Sequence, residues 1–256
     1  MRRITFVICA LAILSAMPVA AQGTSRCADC HIANTNTAGA NWTGFALKHL
    51  QDWDFSPHAQ RDVGCEKCHG GNASTFESFL AHQNMLDSRN PASPVNRVNL
   101  PKTCGTCHTG PFVAFQKSKH YRMLREADVR GPTCTTCHGE VAAGLLSPRT
   151  LERQCNECHR TGTKVPRPEY AVNARMLMTD VRAVRTTLGE ASSLIKRIIN
   201  KADRAKFEEA WQQAEVPLIE ARNAGHEFVF DNLKERLDRA KARADVLMDR
   251  LANRQP

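Results

Sequence analysis

Cys65-Glu66-Lys67-Cys68-His69-Gly70 and Cys134-Thr135-Thr136-Cys137-His138-Gly139 are two copies of the pattern that decides how this chain folds. Its core, Cys-x-x-Cys-His, recurs at Cys27-Cys30-His31, Cys104-Cys107-His108 and Cys155-Cys158-His159, which makes five. This is the spacing of covalent c-type haem attachment. Each thiol adds to one vinyl group of the porphyrin, a two-residue gap holds the sulfurs as far apart as the vinyls, and the next histidine turns its imidazole onto the iron. Zinc ribbons and thiol oxidoreductases also use paired cysteines two residues apart. Neither requires a histidine after every second cysteine, and a disulfide framework would not set its cysteines in five identical pentapeptides. The pattern therefore predicts five covalent haems, with His31, His69, His108, His138 and His159 as proximal iron ligands.

Of the eleven cysteines, ten sit in these motifs and the last, Cys9, lies in an N-terminal apolar stretch. That stretch reads as a cleavable secretory signal over residues 1–21: Arg2 and Arg3 form the charged start, Ile4 to Met17 the apolar core, and Val19-Ala20-Ala21 the small-residue cleavage site. Ile4 to Met17 falls short of the roughly 20 residues that span a bilayer. No second apolar run of that length follows, so no membrane span is expected after cleavage. Because bacterial c-type haem is attached outside the cytoplasmic membrane, the expected location is the periplasm.

Loss of Arg2 and Arg3 lowers the basic count from 35 to 33 against 26 acids, and the net charge from +9 to +7. Two propionates on each of five haems would bring the holoprotein close to neutral. The basic sequence pI is thus no nucleic-acid footprint, and there is neither a Lys/Arg run nor a basic aromatic platform.

Residues 22–165 hold every motif and are rich in Gly, Pro, Thr and Asn with little periodicity. Such a segment cannot build an aliphatic core, so the expected interior is porphyrin wrapped by short helices and loops. A weak repeat runs through it: a motif, then Ser56-Pro57-His58 or Ser118-Lys119-His120, then a motif ending in glycine. A histidine recurring at one place between paired motifs suggests a sixth iron ligand. The non-motif histidines are His49, His58, His82, His120 and His226, as many as there are motifs, so bis-histidine ligation of every iron is arithmetically open. Met85 and Met123 are alternative soft ligands, and a lone histidine such as His226 on an apolar helix face is also readable as a core residue.

Residues 166–256 change character: the motifs stop, glycine becomes scarce and helix formers with interleaved charges take over. Leu177, Val181, Val184, Leu188, Ala191, Ile195, Ile198 and Ala202 follow alternating steps of four and three; so do His226, Phe230, Leu233, Leu237, Ala240, Ala244, Leu247 and Leu251. Two heptad-patterned helices are predicted. Phe207, Trp211, Pro217 and Gly225 mark a less regular stretch between them, with at least one turn or kink. The fold class expected is mainly α: a haem-packed cytochrome domain of short helices and loops, then a long C-terminal helical hairpin or three-helix arrangement. An oligomer formed through these helices as a coiled coil is the alternative.

The five motifs, the two Ser-x-His segments, Cys68-His69-Gly70-Gly71 and the long helices resemble the multihaem c-type cytochromes related to hydroxylamine oxidoreductase and pentahaem nitrite reductase. The resemblance implies stacked haem pairs, mostly bis-histidine ligation and periplasmic electron transfer. It departs from the enzymes in two ways. All five motifs end in histidine, whereas the nitrite reductases commonly carry one Cys-x-x-Cys-Lys. The only tyrosines are Tyr121 and Tyr170, and Tyr121 directly follows a candidate ligand.

The reading is thus a pentahaem electron carrier between a membrane quinol dehydrogenase or another cytochrome and a terminal reductase or extracellular conduit. A small oxidoreductase acting on a nitrogen or sulfur oxyanion at one five-coordinate haem is the second, and a haem-bearing structural or sensory subunit with a docking tail the third.

Overall fold

The computed structural model describes residues 25–35, 44–126, 130–141 and 146–253. The predicted signal and its cleavage site lie outside the described residues. Among those residues there is no strand. The helices are α1 (Arg26–Thr35), α2 (Gly44–Asp54), α3 (Glu66–His69), α4 (Ser78–Ala81), α5 (Leu100–Gly105), α6 (Thr109–Gln116), α7 (Lys119–Arg125), α8 (Cys134–His138), α9 (Pro148–His159), α10 (Pro168–Lys196), α11 (Lys201–Ala224) and α12 (Phe230–Ala252). The protein is mainly α, as its sequence predicts.

Each Cys-x-x-Cys-His lies in or beside a helical turn. On a helix, residues three and four apart share a face, so one turn presents both sulfurs and the imidazole to the same side. Glycine then ends two of these turns directly after the histidine. Gly70 and Gly139 take φ of +77° and +80°, which a side chain would strain.

The Ser-x-His repeat has a physical cause. Ser118 caps α7 by accepting from the Tyr121 N–H, and Ser56 accepts from the Ala59 N–H at 3.2 Å. Both serines are buried. A capped helix start satisfies a backbone donor that would otherwise be orphaned in the interior. In each copy the serine lies two residues ahead of the histidine and its bond to the following backbone fixes the turn that carries it.

Residues 168–252 form a three-helix arrangement. Leu177, Val184, Leu188 and Ala191 of α10 pack with Ala214, Leu218 and Ala221 of α11 and with Leu237, Ala240, Ala244 and Leu247 of α12. Both predicted stripes are therefore satisfied within one chain. Alanines buried to 2 % or less exposure on all three helices let the axes approach closely. Stripe one holds through Ile198 but not Ala202, which is exposed, because α10 ends at Lys196 and a new helix starts at Lys201. Asn200 caps that new start by accepting from the Ala202 and Asp203 N–H groups.

The stretch read as irregular is α11, continuous through a buried Pro217. Proline removes the bond that would reach the carbonyl four residues back, at Gln213. Arg243 of α12 donates to that carbonyl at 3.0 Å, and Trp211 Nε1 donates to the Leu188 carbonyl at 2.8 Å, tying α11 to both neighbours. Arg243→Ala should cost about 0.5–1 kcal/mol, read as a lower unfolding midpoint by far-UV circular dichroism with haem content unchanged.

The haem-motif half has a much smaller apolar cluster: Ala28, Trp53 and Ala59, with Leu50, Cys65 and Val141 against them. This contrast matches the expectation that its interior comes from something other than aliphatic side chains.

Candidate functional site

Ten histidines make five facing pairs, each joining one motif histidine to one non-motif histidine. Ring centres are 6.0 Å apart for His31 and His82, 5.9 Å for His49 and His69, 6.0 Å for His58 and His108, 6.0 Å for His120 and His159, and 6.1 Å for His138 and His226. A metal–imidazole nitrogen bond is about 2.0 Å and a ring nitrogen lies about 1.1 Å from its ring centre, so imidazoles on opposite sides of one metal stand about 6 Å apart. Van der Waals contact between stacked rings would be closer. Among the described residues no group of three or more His, Cys, Asp or Glu forms a metal cage; the arrangement is pairwise throughout.

The outer nitrogens identify the tautomer. His58 Nδ1 faces the Val141 carbonyl at 3.0 Å, His82 Nδ1 the Ser78 carbonyl at 2.8 Å, His226 Nδ1 the Arg222 carbonyl at 3.1 Å and His159 Nδ1 the Val165 carbonyl at 3.2 Å. A carbonyl can only accept, so each Nδ1 carries the proton and each Nε2 keeps its lone pair, the form that ligates a metal. Burial reinforces this. Desolvation is the largest influence on His31, His69 and His226, lowering each below the ordinary value, and it brings His120 down to about 4, with His159 adding to the effect. These imidazoles stay neutral at physiological pH.

The sulfurs of consecutive motifs are electrostatic neighbours: Cys27 and Cys65, then Cys68 with Cys104 and Cys107, then Cys104 hydrogen-bonded to Cys134, then Cys137 with Cys155 and Cys158. Helix packing agrees, with Cys65 against the cluster that includes Ala28 of α1, α5 against α8, and α8 against α9. The attachment points thus adjoin in chain order. Burial pushes the Cys65 and Cys137 thiols up to about 11, which is the reverse of a reactive thiolate centre.

His226 arrives from the far half of the chain. It lies in a 3₁₀ turn, Gly225–Glu227, between α11 and α12, not at the head of the α12 stripe as its spacing suggests. Phe228 takes φ of +56° and breaks the helix there, so the stripe begins at Phe230. This bundle tip docks on α6. Lys117 Nζ donates to Glu227 Oε1 at 3.0 Å, the Phe228 ring lies 4.5 Å from His120 and 6.3 Å from Phe115, and a side chain on Gly110 would strike Asn223. Lys117 holds the Glu227 carboxyl below its ordinary value. The contact is therefore fully present above the ordinary carboxylate value and is lost as pH falls through the depressed one.

His49, His58, His82, His120 and His226 each face a different motif histidine. Tyr121 packs edge-on to Phe112 and Phe115, and Tyr170 packs edge-on to His159 at 5.4 Å. Sequence reasoning missed Gly139-Glu140-Val141, whose Val141 carbonyl meets His58; only the glycine after the fourth motif hints at a sharp turn there.

Comparison with known proteins adds a likeness in both parts of the haem-motif half. Residues 14–70, which hold the first two motifs, match the family described as cytochrome c554 and c-prime; residues 89–160, which hold the last three, match cytochrome c7 and related cytochrome c. The chain is 31% identical over 136 residues to the C-type polyheme cytochrome OmcB of Geobacter sulfurreducens, in strains DL-1 / KN400 and PCA. It is 26% identical over 131 residues to the C-type polyheme cytochrome OmcC of Geobacter sulfurreducens. These matches cover 50% and 49% of the chain, and the chain spans 15% of the length of these relatives. No solved structure matches.

Proposed function

We propose that this chain, a multihaem c-type cytochrome, binds five haems and carries single electrons. In this reading each iron would be held by one motif histidine and one distant histidine, in the pairs His31 with His82, His69 with His49, His108 with His58, His138 with His226 and His159 with His120. The five ring pairs at about 6 Å carry the proposal. When bound, c-type haem supplies a one-electron ferric/ferrous couple. The chain's own residues would hold each haem by one motif and one distant histidine, with the tautomers of His58, His82, His159 and His226 fixed by Nδ1–H bonds to carbonyls and the motif cysteines lined up in chain order. With every motif histidine matched, no iron offers an open position to a substrate, which favours a carrier over the oxyanion oxidoreductase.

We place the carrier in the periplasm, exported by the signal at residues 1–21 and with a domain boundary near residue 165. Among the described residues no helix is long and apolar enough to cross a membrane. Its redox partners are a quinol dehydrogenase or another cytochrome on one side and a terminal reductase or extracellular conduit on the other. Kinship with the hydroxylamine oxidoreductase and nitrite reductase group belongs to the same proposal and rests on the five motifs, the two Ser-x-His segments, Cys68-His69-Gly70-Gly71 and the long helices.

Two measurements test it. Pyridine haemochrome quantification with intact mass should return five haems and no free thiol in the mature chain. Low-temperature EPR of the oxidised protein should show low-spin ferric signals alone. Three or fewer haems would reject the pentahaem reading, while a native high-spin signal with nitrite or carbon monoxide binding would move it to the oxidoreductase.

A further inference from the structure

Gly139 ends α8 with φ of +80° and ψ of 167°, a conformation that L side chains rarely adopt. It turns the chain so that the next two residues pass the outer nitrogens of histidines from two other motifs' pairs. The Val141 carbonyl takes the Nδ1–H of His58 at 3.0 Å, across 83 residues of sequence, and Glu140 Oε2 stands 3.5 Å from His49 Nδ1. His58 faces His108 and His49 faces His69. A segment fixed by the fourth motif thus meets the distal histidines of the second and third.

The two acceptors differ in kind. A backbone carbonyl is neutral, as are the Ser78 and Arg222 carbonyls beside His82 and His226. His120 Nδ1 is buried with no acceptor among the described residues. At His49 the facing group is a carboxylate. At 3.5 Å this is a charge contact rather than a hydrogen bond, so Glu140 acts on His49 and on the haem it would hold through its field. A nearby negative charge stabilises the more positive of two states, and the ferric haem carries one positive charge more than the ferrous.

We propose that Glu140 is a positioning residue acting through His49, and that it lowers the reduction potential of the haem attached at Cys65 and Cys68. The proposal rests on the reading of His49 as an axial ligand. Its consequence is an order: the second haem is harder to reduce than the third, whose His58 is held by a neutral carbonyl in the same segment.

The test uses the full holoprotein and spectroelectrochemical titration alongside EPR. Glu140→Gln keeps the shape and removes the charge, so one fifth of the haem amplitude should shift toward easier reduction by about tenfold in its equilibrium constant, about 59 mV for one electron. The same haem's low-spin EPR component should move, and His49→Ala should turn that component high-spin. Gly139→Ala, whose added methyl meets nothing within 4 Å, should disturb two haems by backbone strain alone. Five unchanged potentials in a fully loaded Glu140→Gln protein would overturn the proposal, even if the variant melts earlier. A His49→Ala protein with every haem still low-spin would instead remove the ligand on which it rests, leaving the other four pairs untouched.

Discussion

On the proposed pairing, His226→Ala should turn one haem in five high-spin and open it to carbon monoxide, while the other four keep their spectra. The side chain faces His138 with ring planes only 15° apart, and its Nδ1 bond to the Arg222 carbonyl leaves Nε2 as the free donor. The turn that carries it is held independently, by the Lys117–Glu227 pair and by Phe228 against His120 and Phe115. Deleting the imidazole should therefore leave the bundle docked and remove only the ligand. The readouts are the high-spin fraction in EPR and carbon monoxide difference spectra, where the unmutated protein should bind almost none. A folded His226→Ala protein with five low-spin haems would show that this histidine is a core residue only, and the pairing with His138 would fall.

Leu237→Asp should release the whole C-terminal bundle. Leu237 is 3 % exposed on α12 and belongs to the core shared with α10 and α11. The substitution forfeits about 1.5–3 kcal/mol of apolar burial, and an unpaired buried carboxylate adds several kcal/mol more. Together these exceed what a helical tail retains from exposed, solvent-screened ion pairs such as Lys234–Asp238 and Arg239–Glu235. Limited proteolysis with mass spectrometry should then cut within residues 201–252. Because the tip carries His226, the same variant should also gain a high-spin haem and bind carbon monoxide. Leu237→Met, of similar volume, should do neither. If Leu237→Asp only dissociated an oligomer into folded, protease-resistant monomers, the stripes would be serving an intermolecular coiled coil.

The two halves were legible to different degrees, for reasons of range. Stripe residues such as Val184, Leu188 and Leu237 declare themselves because helical periodicity is a local property: side chains three and four apart share a face whatever they pack against. The helix across Phe207, Trp211 and Pro217 was not declared, since its proline is tolerated only because Arg243, from another helix, takes the carbonyl that the proline strands. The Ser-x-His segments were visible as a repeat, but the reason for the serine was not. Ser118 is an N-cap, Ser56 accepts the Ala59 N–H ahead of a 3₁₀ turn, and both bonds matter because both serines are buried.

The chain by itself determined where covalent haem chemistry is expected. Cys-x-x-Cys-His acts within one helical turn, so ten cysteines and five motif histidines could be named as candidates without knowing where any other residue lies. It also narrowed the candidate partners to five remaining histidines, with Met85 and Met123 as alternatives. Which of those meets which motif was decided by tertiary structure alone. His226 reaches His138 because a helix pair ends in a 3₁₀ turn against α6, and His58 meets His108 under a carbonyl supplied after the fourth motif. Such pairings join positions up to 88 residues apart, and nothing in local spacing encodes them. The docking of the bundle tip also needs Gly110 to leave room for the Asn223 side chain, a contact that exists only once the chain has folded.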